Sequence, residues 1–440
     1  MWKILILCFL LINPSNLLLS SSNPYDYSSI KAKSVDEDLT SQTVESTQQD
    51  ESCIYISSTE SIFSNQNCII NKNSGDSTKI EDSNLYGVNS AVLVQGGATL
   101  SLQEGTITSK AKGAHGIFST NDGNVLIQKS IVTTEADSTS GIISTYKGSS
   151  SVTESTISTN GNSSPLSVSQ DGEIILQNSI LSTKGKGSDL GQTKGEEGTI
   201  IFDGSTGTAE NSKIAVVEGL TSLVIQNQSE LKCSATPTKN EVDQCGIFMY
   251  QSGSRSMVSN SFNCKESKLE ILESSKYYKT APMFLVTNNG AGISIENCQF
   301  KFGSNTFISV KATDEWGVKG SNSGDATVLL TDQNIEGDFL VDAESTLHII
   351  LKNSHIIGKI NPSNTVKTLS IQVDKDSTIT ITGDSYCSLL INEIQDGSNL
   401  INGSYTWHIG VTPNTGSAQG FFNKNLMIIG LNLILSLLLL

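Results

Sequence analysis

Four eight-residue segments, LQEGTITS (102–109), IQKSIVTT (127–134), VTESTIST (152–159) and LQNSILST (176–183), align without a gap, and their starts lie 25, 25 and 24 residues apart. A fixed period of this size means a chain that stacks one small unit upon the next, because no single unit can bury its apolar face alone. The first apolar column is Leu102, Ile127, Val152 and Leu176, and the second is Ile107, Val132, Ile157 and Leu181. No sustained 3.6-residue stripe accompanies them, so short strands rather than helices are expected. The same apolar-x4-apolar unit returns at Met257/Phe262, Ile295/Phe300, Leu330/Ile335 and Leu351/Ile356, at irregular intervals that imply longer loops. Two residues past the first column stands a polar side chain, Glu104, Lys129, Glu154, Asn178, Asn297, Asp332 or Asn353, which predicts a turn there. Gly97, Gly123, Gly148 and Gly172 mark another bend.

Stacked units of this kind predict an all-β, single-domain parallel β-helix solenoid over 84–410, with about eleven or twelve rungs and a length of ~55 Å. Charged residues make up only 16% of the 440, too few for coiled coils or long solvated helices. Ser, Thr and Asn take their place, and are expected to face water or line turns. Residues 53–83 are expected to cap the open end, because bare strand edges invite aggregation. The polar stretch 23–52 lacks any amphipathic period and reads as a disordered spacer.

Both ends look like processing signals. Residues 1–22 combine Lys3, an apolar run Ile4 to Ile12 and small residues at Ser20 to Ser22, as a secretory signal does. Residues 426–440 form an apolar tail that is too short to span a bilayer and carries no basic flank. Preceded by small residues and a polar stalk over 411–425, it reads as a glycosylphosphatidylinositol signal, with Asn414 and Gly416 as candidate attachment residues. The expected location is the extracellular face of the plasma membrane. In that oxidising setting Cys53–Cys68 and Cys233–Cys245 are the natural short bridges, Cys264–Cys298 is a third, and Cys387 is left free or paired otherwise. Asn162, Asn227 and Asn402 stand in glycosylation tripeptides. No Cys spacing suits zinc, and no cofactor is expected. The net charge of −16, with Arg255 the single arginine, speaks against nucleic-acid binding.

Units such as GNVLIQKSIVTT (123–134), GEIILQNSILST (172–183), AGISIENCQFKF (291–302) and STLHIILKNSHIIG (345–358) resemble the right-handed parallel β-helix repeats of the pectin-lyase-like superfamily. GGATL (96–100) also looks like one short motif of the polymorphic-membrane-protein adhesins, but the companion FxxN is missing. The superfamily resemblance implies polysaccharide cleavage or binding. Its hydrolases carry paired aspartates, a GHG and an RIK, whereas this chain has Ala114-His115-Gly116 and neither of the others. Its lyases use a basic residue, and Arg255 lies in GSRSM, which matches no lyase motif. The acids Asp332, Glu336, Asp338, Asp342 and Glu344 cluster in sequence and could supply a glycosidase pair, but read better as a solvated loop. His115, His348, His355 and His408 show no metal or triad spacing. Trp316, Tyr277 and Tyr278 fall in longer loops, where rings can stack on sugars or pack the loop down. The expectation is therefore a non-catalytic, lipid-anchored glycoprotein, adhesin-like or coat-forming, that binds glycan or protein ligands along its flank. A surface polysaccharide lyase or hydrolase is the alternative.

Overall fold

Each repeat forms one turn of a parallel β-helix. In the computed structural model, which describes residues 23–59, 62–238, 242–254 and 259–410, the chain visits three sheets in rotation. A thirteen-stranded sheet runs from Ile62–Gln66 to Leu389–Asn392, a twelve-stranded one from Lys31–Val35 to Asp338–Val341, and a ten-stranded one from Thr43–Ser46 to Gln299–Lys301. Four- and two-stranded sheets complete the C-terminal end. Every pairing is parallel.

Register follows the aligned columns. Leu102 pairs with Ile127, Ile127 with Val152 and Val152 with Leu176, and the row continues through Phe202, Ile225, Cys264, Ile295, Leu330, Leu351 and Val373. The second column stacks likewise, Ile107 on Val132 on Ile157 on Leu181. Because side chains alternate across a strand, matching registers send both columns to the interior, where they form one continuous core.

One unit is corrected. Phe262 pairs with Leu223 and Ile293, two residues ahead of the first column, so the unit here is Cys264/Leu269 and not Met257/Phe262. The polar residue two past the first column is a left-handed corner throughout: Glu104, Lys129, Glu154, Asn178, Asn297, Asp332 and Asn353 all have φ between 46° and 55°.

Serine behaves differently from expectation. The residue after that corner turns inward, and its hydroxyl accepts the backbone N–H of the coil before it. Ser130 caps Gly105 (3.0 Å), Ser155 caps Ser130 (3.0 Å), Ser179 caps Ser155 (3.2 Å) and Ser205 caps Ser179 (3.0 Å). Thr139, Ser164 and Ser188 do the same at the next corner. Buried N–H groups need such partners, so much of the Ser content is interior rather than water-facing. Ser155→Ala, which orphans the Ser130 amide, is expected to cost about 1–3 kcal/mol in urea unfolding, whereas Ser158→Ala on the outer face should stay within about 0.5 kcal/mol.

The polar stretch 23–52 is no disordered spacer. Lys31–Val35 pairs with Glu51–Ile56, and Thr43–Ser46 with Ile69–Lys72, so the solenoid begins there and 53–83 continues it rather than capping it. The fully buried Lys72 closes the first coil, its ammonium donating to the carbonyls of Gln48 and Glu51 and to Ser46 Oγ. Among the described residues no helix is long and apolar enough to cross a membrane. The expected signal, stalk, anchor residues Asn414 and Gly416, apolar tail and Arg255 lie outside the described residues.

Candidate functional site: the outer face of the twelve-stranded sheet

A sheet face that is apolar outside as well as inside needs a cover, and this one is covered twice with a gap between. Its outward row reads Leu93, Phe118, Ile143, Val168, Gln192, Val216, Phe248, Leu285. The N-terminal segment and the short helix Ile80–Tyr86 lie over the first three. Tyr27 accepts from Asn23 (2.9 Å) and donates to the Tyr86 carbonyl (3.1 Å), and Thr145 donates to the Leu85 carbonyl (3.1 Å). The helix stops at Gly87, whose φ of 77° only glycine adopts cheaply and whose missing Cβ would sit 2.6 Å from the Phe118 ring. The last three are covered by loop residues, Trp316 packing 5.9 Å from Phe248 and edge-on to Tyr250 at 4.6 Å.

Val168 and Gln192 remain half-exposed between the covers. Beside them runs a second outward row, Thr145, Gln170, Lys194, Glu218, Tyr250. Tyr146, stacked over Tyr86 at 6.1 Å and through it on Tyr25, bounds the gap at one end, and Tyr250 with Trp316 bounds it at the other. From the Thr145 strand to the Tyr250 strand is four steps, ~19 Å at ~4.8 Å per step. The floor thus offers an amide, an ammonium and a carboxylate in sequence between aromatic walls. Glu218 accepts from the Tyr250 hydroxyl (3.1 Å) and the Ser252 N–H (3.2 Å), and Gln192 donates to Asp189 (2.7 Å). Burial, then the Glu218 charge, raises the Tyr250 phenol well above its ordinary range, so it stays a donor.

The acids singled out in the sequence do not converge on a common point. Asp332 accepts from Asn353 Nδ2 (2.6 Å), Asp338 pairs with Lys359 (3.4 Å) and caps its N–H, and Asp342 holds the N–H groups of Ala312 and Glu344. Glu336 points outward from its strand. Each tethers its own loop or faces water. His348 and His355 bond to Ser370 and Thr378 in the next coil, and His408 stacks on Tyr386 at 4.2 Å. Tyr277 is buried and Tyr278 packs against the core, so both fasten their loop.

His115 is an interior residue. Its Nδ1 accepts the Ser140 N–H (3.0 Å), and full burial lowers its pKa to about 3. Since the folded value lies below the ordinary 6.5, the stability it carries is whole above pH 6.5 and is lost as pH falls toward 3. At pH 4.5 the loss is roughly 3 kcal/mol, and His115→Gln should flatten that part of the curve of thermal midpoint against pH.

Asn162, Asn227 and Asn402 are all exposed. Asn162 and Asn227 donate to Asp137 and Asp203 of the coil before, and Asn402 Nδ2 makes no such bond. All seven described cysteines are buried. Among the described residues no group of three His, Cys, Asp or Glu converges as a metal site. Tyr146, Tyr250, Gln170 and Lys194 were not singled out by the sequence reading, because nothing local tells which outward residues lie between covers. No family model, curated protein or solved structure matches this chain.

Proposed function

We propose that the protein is a non-catalytic, lipid-anchored surface glycoprotein that binds an extended neutral glycan along the gap between Tyr146 and Tyr250. The observation that carries this reading is the uncovered stretch of an otherwise covered face, about the length of a short oligosaccharide, with rings at its ends and hydrogen-bonding groups on its floor. Pyranose rings bury apolar faces on aromatic walls while their hydroxyls need both donors and acceptors, which Gln170, Lys194 and Glu218 supply. The net charge of −16 and the Glu196 and Glu197 rim disfavour polyuronates by repulsion. The sequence resemblance to pectin-lyase-like repeats is consistent with a carbohydrate ligand, and the dispersed acids favour binding over cleavage.

Glycans on Asn227 fit the same reading, since its corner joins the other two sheets and leaves this face clear. The experiment is titration of the mature chain with neutral oligosaccharides and with oligouronates. Saturable binding of the neutral set, weakened about tenfold by Tyr146→Asn and by Lys194→Glu, is expected. Turnover of any polysaccharide that one acidic substitution abolishes would replace this reading with the hydrolase or lyase alternative. Release from cells by a phosphoinositide-specific phospholipase is the expected sign of the anchor, and retention refutes it.

A further inference from the structure

We infer that Cys264 and Cys298 join as a disulfide that converts one coil of the solenoid into a covalent ring, while the other described cysteines remain thiols. Their sulfurs stand 2.6 Å apart. Cys264 lies in the inward first column of Ser259–Lys265, in register with Ile295. Cys298 follows Gly290–Glu296 in the two-residue corner, at the position where other coils place an inward serine, and its sulfur reaches back to the coil before. Between the two lie Lys268–Ile271, Phe284–Thr287 and Gly290–Glu296, one strand on each sheet. The bond therefore spans one whole turn. For Cys53 with Cys68 and Cys233 with Cys245, the short bridges expected from spacing, there is no sulfur–sulfur contact among the described residues, and Cys245 directs its thiol to the Asp243 carbonyl (3.4 Å).

The two sulfurs differ chemically. The Cys264 S–H hydrogen bond lowers the Cys298 pKa, and burial raises that of Cys264. Cys298 is accordingly the nucleophile. Its thiolate attacks a disulfide oxidant such as oxidised glutathione, forming a mixed disulfide and expelling one reduced thiol. Cys264 then gives up its proton and attacks the Cys298 sulfur, expelling the second. Two S–H groups are oxidised, one S–S bond forms, and the oxidant leaves as two thiols.

A stack held by nearest-neighbour contacts unravels coil by coil from its ends, and a closed coil cannot unwind. Fraying from the C-terminal side should stop at this ring. To test this, the full chain is reduced, equilibrated with oxidised glutathione, alkylated in denaturant and mapped by mass spectrometry. The expected result is one linked pair, Cys264 with Cys298, and alkylation of Cys53, Cys68, Cys233, Cys245 and Cys387. Oxidation should also slow amide hydrogen exchange over 268–301 and leave 99–183 unchanged, and the Cys264→Ser, Cys298→Ser double variant should show no response. A link between any other pair, alkylation of both Cys264 and Cys298, a stable glutathione adduct, or exchange unaffected by oxidation overturns the inference. The outcome does not depend on the glycan reading.

Discussion

Lys213→Met is expected to destabilise the protein by about 3–5 kcal/mol, with Asp243→Asn close behind. Lys213 and Asp243 are both fully buried, with Nζ and Oδ2 3.0 Å apart. The ammonium also donates to Thr238 Oγ1 (2.9 Å) and the Thr236 carbonyl (3.4 Å), and Asp243 takes the Thr238 N–H on both oxygens. Asp189 supports the pair from the preceding coil, accepting from Ser212 Oγ (2.5 Å) and the Lys213 N–H (3.1 Å). This network holds down the long connection between Glu230–Cys233 and Ile247–Tyr250, part of the cover beside the proposed glycan face. Removing Lys213 alone strands two carboxylates in the interior, whereas removing Lys213 and Asp243 together leaves only Asp189, which keeps its hydrogen bonds from Ser212 and the backbone N–H of residue 213. The double variant Lys213→Met, Asp243→Leu should therefore cost less than the sum of the single changes in denaturant unfolding. Single variants within about 1 kcal/mol of the parent would show that the network carries no net weight.

Alkaline pH is expected to weaken the fold more than any one of these substitutions. Burial pushes the thiols of Cys53, Cys233 and Cys387 each up to about 12, against an ordinary 9.0. A raised folded pKa means that the native state holds its proton where the unfolded chain releases it. The associated stability is whole below pH 9 and declines as pH climbs toward 12. At pH 10.5 each thiol accounts for roughly 2 kcal/mol, or about 6 kcal/mol for the three. Urea midpoints at pH 8 and 10.5 check this, and replacing the three cysteines by alanine should remove their share of the difference, leaving that of Cys68, pushed up to about 11, and of Cys245, also raised by burial. A midpoint insensitive to pH over that interval would mean these sulfurs are already bonded.

The repeat made the fold legible. Two apolar columns in four copies were enough to give the register of adjacent coils, and the polar residue between them marked the left-handed corner even where it was Glu or Lys. Elsewhere the same rule lost its grip for physical reasons. In the Phe202 coil the second column is Gly207, with no side chain to be seen, and in the Ile225 coil the corner holds one more residue before Leu231. In the Cys264 coil a thiol serves as the apolar residue, and attention to bridging hid its packing role. Lys31–Val35 went unread because it is an edge strand of mostly exposed residues, where polar side chains are favoured. Buried serines were equally hidden, since a hydroxyl satisfied by a stacked amide has the same letter as one satisfied by water. The candidate site was the least legible part. Its residues are set by which stretch of one face the distant helix Ile80–Tyr86 and the Trp316 loop fail to reach, a matter of three-dimensional reach that no local pattern records.

The corner that leaves the thirteen-stranded sheet, for the ten-stranded sheet and further along for the four-stranded one, stays at two to four residues, as from Gln103 to Thr106 and from Lys352 to His355, while the other two corners lengthen freely, as between Ile271 and Phe284 or Val310 and Asp325. One edge of the prism thus acts as a rigid spine and the opposite side as a rack that accepts appendages of any size. New recognition chemistry can be mounted there by insertion without disturbing the stack, so variants of this architecture should diverge in what they hold long before they diverge in shape.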